Sequence, residues 1–97
     1  MYDWQDEDGY GKLTKILNKL LENGYNAEMS NNKMFVLLYD KFGKKQICEA
    51  YSSSWHDRGL IQIKVGYGFK AFDTTFNADE AYDMMIKIYE GRQNESI

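Results

Sequence analysis

Hydrophobic residues recur along this chain with two different periods, and the change from one to the other marks out its segments. Leu13, Ile16, Leu17, Leu20 and Leu21 fall at i, i+3, i+4, i+7 and i+8, which puts all five on one stripe of an α-helix. Lys12, Lys15, Asn18, Lys19 and Glu22 face the other way. Asn23-Gly24-Tyr25 predicts the stop, because Gly24 enters the left-handed conformation without a Cβ clash and Tyr25 can then fold back towards Leu20. Asp6 or Asp8 could cap the start, although Gly9 and Gly11 each weaken a first turn by about 1 kcal/mol relative to alanine.

Beyond Gly24 the period falls to two. Tyr25, Ala27 and Met29 alternate with polar residues and predict a half-buried strand, and Asn31-Asn32 follows as a turn pair because asparagine tolerates positive φ. Met34 to Tyr39 is apolar throughout and predicts a strand covered on both faces. Phe42-Gly43-Lys44 is the next turn, and Gln46 to Ser52 the next strand, of unclear period because Cys48 and Ala50 share one face while Ile47 and Tyr51 share the other. Ser52 to Gly59 reads as an irregular loop carrying Trp55, His56, Asp57 and Arg58. Leu60 to Val65 is a strand with Ile61, Ile63 and Val65 inward; Gly66 and Gly68 then permit either a bend or a turn into a fifth strand, and the reading favours the turn, with a strand at Lys70 to Thr74.

The period returns to 3.6 for a second helix. Asn77-Ala78-Asp79-Glu80 matches a capping box, with Ala81, Met84, Met85 and Ile88 inward, Gly91 as the stop and Gln93 to Ile97 as a frayed tail. Short connections favour antiparallel strands, since parallel neighbours need crossovers of about a dozen residues. The expectation is an α+β fold: an antiparallel sheet of four or five strands with an N-terminal and a C-terminal helix packed on one face, and the other sheet face left to solvent or a partner.

Composition and charge narrow the class. A chain of 97 residues is one domain's length, with an acidic arm at 1–8, and it buries enough surface to fold without disulfides or metal. Cys48 is the sole cysteine, which points to a reducing compartment, and the longest apolar stretch is far short of the ~18 residues that span a bilayer. Acids rather than bases lead the N-terminus, unlike a signal peptide, so a soluble cytoplasmic protein is expected. The net charge of −3 conceals four acids and no base in residues 1–8, and five acids against two bases in 79–97, around a mildly basic centre.

Candidate chemistry is sparse. A Cys48–His56 nucleophilic pair would require proximity in space, and a zinc site needs about four ligands where His56-Asp57 supplies two. Neither catalytic residues, a metal nor a cofactor is expected. Tyr51, Trp55, Arg58, Lys64, Tyr67, Phe69 and Lys70 interleave rings with bases, the composition of a surface that stacks single-stranded nucleic acid, but the negative net charge opposes that use. Asp79, Glu80 and Asp83 offset a helix dipole, or together with Asp3, Asp6, Glu7 and Asp8 dock on a basic surface.

The order helix, strands, helix, with LTKILNKLLENGY at 13–25 and TTFNADEAYDMMIKIYE at 74–90, resembles small phage-encoded anti-CRISPR proteins, inhibitors of Cas9 among them. The resemblance implies a non-enzymatic protein that occupies a nucleic-acid-binding or regulatory surface of a host nuclease. Several such inhibitors imitate DNA with surface acids; this chain departs from them in its small net charge and basic centre. The expected partner contacts are Trp4, Asp6, Glu7, Asp8, Trp55, Asp79, Glu80 and Asp83, aromatic anchors and acids, on a monomer or homodimer. The alternative is a structural or regulatory module that self-associates through a sheet edge or face, or a single-stranded nucleic acid binder.

Overall fold

In the computed structural model, residues 9–52, 59–65 and 71–95 are described. The elements are α1 (Gly9–Glu22), β1 (Ala27–Met29), β2 (Phe35–Tyr39), β3 (Gln46–Ser52), β4 (Ile61–Val65), β5 (Ala71–Thr75) and α2 (Ala78–Glu95). The five strands form one sheet in sequence order, every neighbour antiparallel. Both helices pack on one face, so the architecture is the expected α+β one, with the fifth strand present one residue later than predicted. The helices run side by side in the same direction, as their contacts advance from Lys12–Phe76 through Lys19–Tyr82 to Tyr25–Tyr89.

The stripe of α1 buries Leu13, Ile16 and Leu20 completely. Leu21, expected on the same stripe, is 50% exposed at its edge. Gly24, at φ +84°, ends the helix in a Schellman motif: its N–H donates to the Leu21 carbonyl at 3.1 Å and the Tyr25 N–H reaches the Leu20 carbonyl at 3.0 Å. Tyr25 then packs against the core, its ring 5.1 Å from that of Tyr89 in an edge-on contact.

The β1–β2 and β2–β3 turns share one construction. In each, a backbone bond closes a tight turn, Lys33 N–H to Ser30 O and Gly43 N–H to Asp40 O, and the residue that donates it is left-handed. In the second turn that residue is the expected Gly43; in the first it is Lys33 rather than Asn31 or Asn32. Asn32 contributes its side chain instead, accepting from the Met34 N–H at 3.0 Å. An asparagine pair therefore identified the turn while misplacing its strained residue.

β2 corrects a second expectation. Val36 and Leu38 are fully buried, but Phe35, Leu37 and Tyr39 on the opposite face are only half-buried, since both helices cover the same side. The unclear period of β3 has its cause in a β-bulge: Tyr39 pairs with Gln46 and Leu38 with Cys48, leaving Ile47 as the extra residue. Ile47 and Cys48 thereby both reach the core, with Ala50 and Ser52 following on the same face. Facing them across the sheet are Ile61 and Ile63, and α2 closes the core with Ala81 and Met85.

At the start of α2 the Glu80 N–H donates to Asn77 Oδ1 at 3.0 Å, as the cap predicts. The reciprocal half differs: the Asn77 N–H is satisfied by Thr75 Oγ1 at 3.0 Å rather than by Glu80. Met84 and Ile88 flank the buried pair, half-buried. The helix does not stop at Gly91 but continues to Glu95, so most of the predicted frayed tail is helical. Glycine weakens a helix interior by about 1 kcal/mol and does not by itself break one.

Candidate functional site: the open face of the sheet

Strand alternation sends one set of side chains to the helices and the other to the far side of the sheet. From the register, that far side carries Glu28 of β1, Phe35, Leu37 and Tyr39 of β2, Glu49 and Tyr51 of β3, and Gln62 and Lys64 of β4. No described helix covers it. Phe35 lies opposite Tyr51, with ring centroids 4.8 Å apart and planes tilted by 44°. Lys64 Nζ sits 5.0 Å from the Tyr51 centroid and 5.9 Å from that of Phe35, within cation–π range of both rings.

Polar side chains border these rings. The Tyr39 hydroxyl donates to Glu28 Oε1 at 2.5 Å and Gln46 Nε2 donates to Glu49 Oε1 at 2.9 Å, so each carboxylate is held in place by a neighbour. Glu49 pairs with Lys64 in the β3–β4 register. The described part of this face therefore offers three apolar or aromatic groups on β2, a further ring on β3, one cation and two fixed carboxylates. Such a surface can bury rings and match charges; it holds no paired nucleophile and base among the described residues.

Cys48 is fully buried on the helix side, its Sγ directed at the Met85 carbonyl at 3.9 Å, and a substrate cannot reach it there. Among the described residues no group of three His, Cys, Asp or Glu side chains is placed to hold a metal ion, and no helix is long and apolar enough to cross a membrane. His56 lies outside the described residues.

Of the expected contact residues, only Asp79, Glu80 and Asp83 are described, and these three do not lie on this face. Asp79, Glu80 and Asp83 are exposed on the first turns of α2, in the helix layer behind the sheet. Asp79 Oδ1 is 3.4 Å from Lys19 Nζ, which itself lies 4.5 Å from the Tyr82 ring, so part of the acidic cluster is neutralised within the protein. Burial raises the Tyr82 hydroxyl pKa above its ordinary value, with smaller effects from Tyr25, Lys19 and Asp83. Trp4, Asp6, Glu7, Asp8 and Trp55 lie outside the described residues, as do Arg58, Tyr67, Phe69 and Lys70 of the ring-and-base series. Tyr51 and Lys64 of that series do meet here. Phe35, Leu37 and Tyr39 were missed because a run apolar at every position gives no sign of which alternate set is left uncovered.

No protein-family model matches the chain, and no curated protein or solved structure is significantly similar to it.

Proposed function

We propose that this protein acts without catalysis, by binding another protein through the open face of its sheet. The observation that carries this reading is the half-buried Phe35–Tyr51 pair beside Leu37, Tyr39 and Lys64, on a side of the sheet that the helices leave uncovered. Aromatic rings are enriched at protein interfaces, and rings held on a strand scaffold lose little entropy on binding. The resemblance to phage anti-CRISPR proteins supplies the finer version: the partner is a CRISPR nuclease such as Cas9, and binding inhibits it.

The test pairs an association measurement with an activity. The full chain is mixed with guide-loaded Cas9 and target DNA, and co-elution and cleavage are followed. Inhibition that is lost in a Phe35→Ala/Tyr51→Ala protein supports both versions. Full cleavage at large excess rejects the nuclease version, and inhibition unaffected by the double substitution rejects the open face.

A second reading is favoured by one observation, the closeness of Lys64 to two rings, which suits stacking of single-stranded nucleic acid. Glu28 and Glu49 on the same face oppose a phosphate backbone. Filter binding of single-stranded DNA and RNA at low salt separates the two readings: retention at micromolar protein favours nucleic acid.

A further inference from the structure

At the C-terminal end of β2 the open face runs directly into an exposed turn.

The β2–β3 turn, residues 40–45, carries Lys41, Phe42, Lys44 and Lys45, all exposed. Phe42 is 71% exposed, the most of any large hydrophobic among the described residues, and Lys41 Nζ lies 5.2 Å from its ring centroid. This apex is held firmly. Asp40 Oδ1 accepts the N–H groups of Phe42 and Lys44 at 3.1 and 3.0 Å, and the Asp40 N–H donates to the Lys45 carbonyl at 2.8 Å. Asn26 Nδ2 donates to the carbonyls of Asp40 and Lys41, both at 3.0 Å. The single acid of the turn is thus engaged by backbone donors, and what points outward is one ring among three ammonium groups.

We propose that this apex is a charge-selective anchor for an acidic segment of a protein partner, a stretch in which carboxylates bracket an apolar side chain. The inference rests on the chain being a protein-binding protein, and does not depend on the open face being the main site. The apex groups three lysines around a single, engaged acid, while the face next to it carries Glu28 and Glu49 against one lysine, Lys64. A nucleic acid strand leaving the apex along β2 would set phosphates against those carboxylates, because its charge repeats at every nucleotide. An acidic protein segment carries its charge only where its sequence places it, and so fits the apex without that conflict. The fixed turn keeps Phe42 displayed without further ordering on binding.

The test uses the full chain, labelled with 15N, titrated at low salt with a synthetic peptide of the sequence Glu-Asp-Leu-Phe-Asp-Glu. Saturable amide shifts confined to residues 40–45 are expected, with affinity about tenfold weaker in Lys44→Glu/Lys45→Glu and in Phe42→Ala. The Leu21→Ala protein, altered on α1 away from both surfaces, should bind the peptide unchanged; peptide binding by the parent protein with nuclease inhibition absent means that the nuclease reading has failed and the anchor stands. Absence of shifts at 40–45 at millimolar peptide overturns the anchor, as does equal binding of a lysine-for-acid peptide. Tighter binding of oligothymidylate than of the peptide overturns it in favour of nucleic acid.

Discussion

Gly91→Ala should stabilise the protein, and the sign of the effect discriminates between two descriptions of the C-terminal helix. Gly91 lies inside α2, four residues before its end at Glu95, and a Cβ built there meets nothing within 4 Å. Its φ is not left-handed, unlike that of Gly24 or Gly43. Alanine exceeds glycine in helix propensity by about 0.8 to 1 kcal/mol in an interior, and it also reduces the entropy of the unfolded chain. Near a helix end that fraying shares, a gain of roughly 0.5 to 1 kcal/mol remains. For a domain of this size 1 kcal/mol shifts the melting temperature by about 4 to 8 °C, so a rise of roughly 2 to 8 °C is expected. Thermal and urea unfolding monitored by circular dichroism would measure it, with helical signal equal or greater. A loss of about 1 kcal/mol instead would mean that Gly91 occupies a left-handed cap, and that the helix stops at Gly91 as expected from the sequence.

Other substitutions probe the core, the cap and the carboxylate of the turn. Leu38→Ala, at a fully buried position opposite Cys48, should cost about 2 to 5 kcal/mol, whereas Leu21→Ala, half exposed, should cost under about 1 kcal/mol; comparable losses in urea unfolding would contradict the placement of the core. Asn77→Ala should lose about 1 kcal/mol with the cap to the Glu80 N–H, while Glu80→Gln should be nearly neutral because Thr75 already satisfies Asn77; equal effects would restore the reciprocal box. Asp40 is held below its ordinary carboxyl pKa of 3.8, first by the Lys44 N–H and then by further turn amides, against a smaller cost of desolvation. Its contribution is present above that value and is lost as pH falls through the lowered one, so Asp40→Ala should narrow its stability gap from the parent protein only in strong acid; a gap unchanged down to about pH 2 would refute this.

Much of this fold is legible in the chain because local physics sets it. The leucine spacing in α1, the Gly24 stop, the Asn77 cap and the Gln46 to Ser52 strand each rest on a few neighbouring residues, and tertiary contacts reinforced them. The meander follows from the shortness of the connections, which leaves antiparallel pairing as the available geometry. What tertiary structure decided is which side of each apolar segment is covered. In β2 every position is apolar, so only the placement of both helices on one layer determines that Val36 and Leu38 are buried while Phe35, Leu37 and Tyr39 remain available. The bulge at Ile47 is likewise a product of pairing, since an extra residue exists only relative to the strand beside it. Charge behaves in the same way: the acids of α2 are adjacent in sequence, yet Lys19, sixty residues from Asp79, comes from another helix to neutralise part of the cluster. Sequence fixes what each segment can bury, because helix and strand periods are local; the exposed remainder, where binding occurs, is settled only when the layers meet.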